Sequence, residues 1–209
     1  DEIKHARPHT HKNSMGYNLW STWDRDTGIF DLTHLITGSQ GTLGIITDIK
    51  MHLVPKAPHT GLLVIYLPTI KQLGDIIKTV MAHEPATFEG FDDITFELGI
   101  KHFNVFKKQL GLKEWAKMQA QLVGSVAKFR GHLPHMIMMV EFEGKTPEEV
   151  YDKIVTLRSA LSGYKIKTDI EDTEEASKPF WQIRRASLML LRQKVHDKYA
   201  SPFMDDLTV

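Results

Sequence analysis

Apolar residues change their rhythm along this chain. Residues 61–67, GLLVIYL, form a continuous apolar run of strand length, and residues 136–142, MIMMVEF, form another. Elsewhere apolar positions return every three or four residues, which puts them on one side of a helix. Ile70, Leu73, Ile76, Ile77, Val80 and Met81 make such a stripe behind Thr69, whose hydroxyl can cap the first free amides. Residues 86–91 read as a weaker strand. Ile94, Leu98, Phe103, Phe106 and Leu110 read as a helix after it, continued through 113–129. Thr146-Pro147-Glu148-Glu149 combines a cap, a proline at the first helical position and an acid at the third, so a helix is expected over 147–161. An alternating strand over 164–170 and a last helix over 179–196 complete the region. Two strand–helix–strand units of this size predict an α+β fold, a ferredoxin-like sandwich whose antiparallel sheet carries its helices on one face.

The first quarter of the chain has a different texture. Residues 1–42 are polar and show little periodicity, as expected of loops packed on something larger, whereas residues 43–54 alternate and read as a strand. Pro55 and Pro58 mark an interdomain connection over 55–60. With 209 residues, 42% hydrophobic and 25% charged, the chain can bury one good core or two small ones. Its 26 basic and 26 acidic residues cancel and form no basic tract, so nucleic acid is not an expected partner. The absence of cysteine excludes disulfides, cysteine-ligated zinc and iron–sulfur clusters from this chain. No apolar run approaches the roughly 18 residues of a membrane span. The chain opens at Asp1 without an initiator methionine or signal-like core, and an excerpt of a longer protein is expected.

Within residues 31–55, Gly38, Gly41 and Gly44 stand three apart with Ser39 and Thr42 between them. Such a turn lets the backbone approach a bulky ligand and offers hydroxyls and free amides; alone, it also describes a tight loop with no ligand. Its setting is more specific. KNSMGYNL at 12–19, DLTHLI at 31–36, the glycine turn and a strand ending in LVPKAP follow one another in an order that resembles the flavin-contacting segment of the FAD-linked oxidase family. That family includes D-lactate, glycolate and D-2-hydroxyglutarate dehydrogenases. The resemblance implies that residues 1–57 are the C-terminal part of a PCMH-type FAD-binding domain. Residues 58–209 would be the family's C-terminal, substrate-binding cap domain, ending inside it. It also implies that Gly38, Ser39, Gly41, Thr42, Gly44, Ile45 and Ile46 line FAD. Gln40 stands where the family usually has an acid, which removes a charge role at that position.

In the last helix, PFWQIRR at 179–185 resembles the family motif in which a tryptophan is followed three residues later by the arginine that holds the substrate carboxylate. The match assigns this role to Arg184, with Arg185 as the one-residue alternative. A planar guanidinium can engage both carboxylate oxygens and so orient the 2-carbon. On the residues alone, a solvated arginine pair beside packed Trp181, Ile183 and Leu188 explains the same pattern. Relatives that oxidise 2-hydroxyglutarate also carry a threonine one turn on and a lysine before a terminal acidic strand. Here those places hold Leu188 and Met204, although Ser187 lies beside the first and Asp206 in FMDDLTV keeps the acidic position. The two-carboxylate substrate is therefore not carried over.

The resemblance implies FAD-dependent oxidation of a small 2-hydroxy acid of the D-lactate or glycolate type, by hydride transfer to the flavin. The contrasting reading is a non-catalytic ferredoxin-like module for binding or dimerisation. That module would have a complete core, whereas the enzyme would leave an apolar edge exposed near residues 1–55. The pyrophosphate-wrapping loop and the histidine-rich catalytic motif of the family are absent from this stretch, so no catalytic residue is expected within it. The fragment alone should be inactive and should not retain FAD. His5, His9 and His11, and His132 with His135, lack acids at convincing ligand positions, and no metal site is expected. Expected partners are the hydroxy acid, the rest of the flavin domain and C-terminal region, and an electron acceptor. The expected location is cytoplasmic, or peripheral to a membrane in the intact protein.

Overall fold

The computed structural model describes residues 2–7, 9, 16–101, 112, 115, 116, 120 and 133–194. His11, His132, the terminal FMDDLTV and most of the helix expected over 103–129 lie outside them. Between Val54 and Pro55 the chain passes from one compact unit to a second.

In the second unit, four strands form an antiparallel sheet in the order β2-β3-β1-β4: β1 (His59–Leu67), β2 (Thr87–Asp92), β3 (Met136–Gly144) and β4 (Lys167–Glu171). The two continuous apolar runs became the central strands. Successive residues of a strand point to opposite faces, and here both faces are buried. Leu63, Ile65, Leu67, Met138, Val140 and Phe142 pack on one side under α3 (Leu73–Met81) and α5 (Pro147–Ala160), which contribute Ile76, Val80, Val150, Ile154 and Leu157. Leu62, Val64, Tyr66, Ile137 and Met139 pack on the other side with Phe96 of α4 (Asp93–Lys101) and Phe180 and Ile183 of α6 (Glu174–Lys194). The expectation of helices on one face is thus corrected. α3 and α5 share the expected face, but α4 and α6 cover the other, because a central strand with no polar alternation has no side to give to water.

Helix ends follow their local chemistry. Thr69 accepts from the Lys71 amide at 3.4 Å and starts a 3-10 turn, Ile70–Gln72, before α3. Thr146 accepts from the Glu149 amide at 3.2 Å, and the Glu149 carboxylate accepts from the Lys145 amide at 2.8 Å, closing the start of α5. α6 begins before the expected Pro179: the Thr173 hydroxyl accepts from the Ala176 amide at 3.2 Å and its carbonyl from the Ser177 amide at 3.1 Å. Pro179 is therefore inside the helix, where it deprives one carbonyl of its amide partner without ending the helix. Gly61 and Gly144 give α5 a close seat, since a Cβ on Gly61 would stand 2.8 Å from both Val150 Cγ1 and Ile154 Cδ1.

Among the described residues, the first unit contains two four-residue helices, α1 (Glu2–His5) and α2 (Thr33–Ile36), and a bridge between Trp23 and Phe30. The strand expected over 43–54 is not formed: among the described residues it finds no ladder partner. Alternation makes a strand only where a neighbour supplies the hydrogen bonds. Its apolar side chains are open, with Ile45 94%, Leu53 88% and Val54 89% exposed. No helix among the described residues is long and apolar enough to cross a membrane.

Candidate functional site

The glycine turn follows directly from α2. Asp31 accepts from both the amide and the hydroxyl of Thr33, at 2.8 and 2.6 Å, and these bonds, the hydroxyl's foremost, hold its carboxyl below the usual range. The Ser39 amide then donates to the Ile36 carbonyl at 3.0 Å, turning the chain at the end of the helix. Gly38 and Gly41 have φ of +84° and +77°, and Gln40 between them is also left-handed at +52°. Only glycine adopts such angles freely. The Thr42 hydroxyl donates to the Ser39 carbonyl at 2.6 Å and so accepts, at 2.8 Å, from the Tyr17 hydroxyl.

The expected flavin-lining residues therefore have unequal roles. Ser39 is buried within the turn, and Thr42 fastens it. Gly41 and Gly44 have nothing within 4 Å of where a Cβ would stand, and Ile45 and Ile46 are exposed beyond them. The turn presents an open backbone surface followed by an apolar one.

In the second unit the two arginines diverge. Phe180 and Ile183, fully buried, fix the rotation of α6 about its axis. Arg184 reaches β2, where its Nε donates to Glu89 Oε2 at 2.6 Å, the side chains being 41% and 35% exposed. Among the described residues this is the guanidinium's one hydrogen-bonded contact. Arg185, exposed, opens on a cavity of about 590 Å³ at the end of the sheet beneath α6, with Trp181, Lys56, Glu141 and Glu143 among its walls. Burial, and then the Glu143 carboxylate, push the Glu141 carboxyl up, against opposing pulls from Lys56 and Arg185. A cavity walled by carboxylates as well as cations does not select an anion, whereas the end of the Arg184 fork, without a partner among the described residues, can. Sequence reasoning missed Glu89 and Glu141. The available signal was the period of two that puts Glu89 on the same face of β2 as buried Phe91. No group of three histidine, aspartate or glutamate residues that could hold a metal occurs among the described residues.

Comparison with known proteins matches residues 56–209 to the family described as FAD linked oxidases, C-terminal domain. A D-2-hydroxyglutarate dehydrogenase from Pseudomonas putida is 26% identical across 99% of this chain, which spans 20% of that relative. The glycolate oxidase subunit GlcD of Bacillus subtilis is 27% identical over 80% of the chain and 31% of its own length. A mitochondrial D-lactate dehydrogenase (cytochrome) from Arabidopsis thaliana is 44% identical over 54 residues, which are 25% of the chain and 10% of the relative. Among solved structures, an alkyldihydroxyacetonephosphate synthase aligns with 81% of the chain and 30% of its own, at 22% identity and a TM-score of 0.49. The chain thus spans less than a third of the relatives it matches. Because the family match takes in well over half of its 209 residues, the chain belongs to the FAD-linked oxidases, oxidoreductases whose cofactor is FAD.

Proposed function

We propose that this chain is the part of an FAD-dependent 2-hydroxy acid dehydrogenase or oxidase that closes the flavin site and anchors the substrate carboxylate. The observation that carries the reading is Arg184: the arginine of the tryptophan motif is held through Nε by Glu89, and its outer edge has no hydrogen-bond partner among the described residues. The domains divide as 1–57 and 58–209 in this reading. The second is a ferredoxin-like cap, supported by the strand order β2-β3-β1-β4, antiparallel throughout, with crossing helices α3 and α5 on one face.

The residues of the first unit fit a flavin. Gly41 and Gly44 leave the backbone open, and Ile45 and Ile46 offer apolar surface to a ring system. Gly38 sets the turn, while Ser39 and Thr42 hold its shape, so their contribution is to the loop more than to direct contact. Bound FAD supplies the acceptor for the C2 hydride. Arg184 binds the carboxylate through two parallel charge-assisted hydrogen bonds and thereby limits how the 2-carbon is presented. The exposed apolar residues at 45–54 are covered in this reading by the rest of the flavin domain. Their exposure favours the enzyme over a self-contained binding module, which would bury them.

The test is Arg184→Lys in the intact protein. A lysine keeps the charge but not the planar fork, so the second-order rate constant for a small 2-hydroxy acid should fall at least about tenfold with flavin content unchanged. Full activity in Arg184→Lys with loss in Arg185→Lys would shift the role by one residue. Full activity in both variants would remove this helix as the anchor.

A further inference from the structure

Glu89 occupies the middle of β2, the edge strand, opposite Met139 of β3 and two residues before buried Phe91. β2 is fixed by its ladder to β3, and α6 by Phe180 and Ile183 in the core. The two side chains that meet at 2.6 Å therefore come from backbones with little freedom to move.

A guanidinium has two edges able to take a carboxylate in parallel. One is the side edge, Nε with one terminal nitrogen; the other is the end edge formed by both terminal nitrogens. Glu89 bonds Nε and thus takes the side edge. Neither terminal nitrogen has a hydrogen-bond partner among the described residues. The geometry points to Glu89 as the positioning residue for Arg184: it holds the long side chain by its inner nitrogen so that the end edge is already aimed when a 2-hydroxy acid carboxylate arrives. This inference rests on Arg184 being the carboxylate anchor.

Two effects of Glu89 oppose one another. Its negative charge repels an incoming carboxylate, while its hydrogen bond freezes an arginine whose several torsions would otherwise have to be ordered on binding. At contact distance from Nε, with the end edge pointing away from it, orientation dominates. The two contributions separate in variants. Glu89→Gln keeps an acceptor for Nε and drops the charge; Glu89→Asp keeps the charge but is one methylene too short to reach; Glu89→Ala removes both.

The experiment is steady-state kinetics of the intact flavoprotein with D-lactate and with glycolate. Glu89→Ala and Glu89→Asp should raise KM about tenfold with kcat changed less than about threefold and flavin content unchanged, while Glu89→Gln stays within about threefold of the parent. In an Arg184→Lys background, Glu89→Ala should add less than about twofold, because the group it acts through is gone. Should the alanine variant fail to fold, the aspartate variant carries the same test. An unchanged KM in Glu89→Asp, or a KM lowered by both Glu89→Ala and Glu89→Gln, overturns the inference, as does an equal penalty for Glu89→Ala in both backgrounds. An active, unimpaired Arg184→Lys instead overturns the anchor reading itself, whereas an impaired Arg184→Lys beside a silent Glu89→Asp overturns the positioning role alone.

Discussion

One methyl group added at Gly61 should destabilise the second unit by about 0.5–2 kcal/mol, and the estimate follows from two opposing contributions. The new Cβ would stand 2.8 Å from Val150 Cγ1 and 2.8 Å from Ile154 Cδ1, against the roughly 3.5–4.0 Å at which carbon atoms are in favourable contact. Both neighbours are buried, so neither swings into open space, and α5 must lift from the sheet. Overpacking of this kind costs about 1–3 kcal/mol. Replacing glycine within a strand returns about 0.5–1 kcal/mol of backbone entropy. The clash wins. Urea unfolding followed by tryptophan fluorescence, to which Trp115 and Trp181 contribute from this domain, should show a lower midpoint at an unchanged slope. Val150→Ala removes one of the two colliding methyls, so the double variant should be more stable than the sum of the single effects predicts, by about 1 kcal/mol. A Gly61→Ala protein as stable as its parent, or strict additivity with Val150→Ala, would refute the seat that glycine provides for α5.

Two further outcomes test the same structure. Burial and then Glu143 raise the Glu141 carboxyl above its ordinary 4.5, so the folded protein holds that proton more tightly than the unfolded chain, and stability declines as pH rises through that window. Glu141→Gln should accordingly raise the melting temperature at neutral pH and lose the advantage below pH 4.5; an equal gain at both would contradict the cause given. Thr146→Ala should cost about 1 kcal/mol by uncapping α5, and Thr146→Ser should restore most of it, which the same urea titration measures.

Local signals in the sequence proved the most dependable. Thr146-Pro147-Glu148-Glu149 marked the start of α5 because the groups that cap that helix end, the Thr146 hydroxyl and the Glu149 amide and carboxylate, lie within four residues. Pro179 misled because proline is compatible with a first turn, and the true cap, Thr173, was one turn and more upstream. The second covered face was written in GLLVIYL, whose lack of polar alternation belongs to a strand buried on both sides; reading the run only as a strand left that unused. Residues 43–54 show the opposite limit, since alternation reveals which sides could be buried but not whether a partner is there to bury them. The arginine of the tryptophan motif was recognisable from sequence, but its partner Glu89 lies 95 residues away, and only the β2-to-α6 packing brings them together.

The strand order has a consequence for how this domain comes into being. β1 is the first strand of the sheet to be synthesised, yet it occupies the interior, and both its neighbours arrive late: Leu63 pairs with Val140 and Ile170. Until β3 emerges, the stretch Leu62–Leu67 has no ladder partner, only α3 and α4 of its covering helices have been made, and it carries no charge to discourage pairing with another chain. Formation of the sheet therefore waits on contacts distant in sequence, which slows the search and prolongs the interval in which nascent chains can cross-pair. The same central placement that later protects the β1 amides from exchange makes this strand the domain's most vulnerable segment before β3 and β4 arrive.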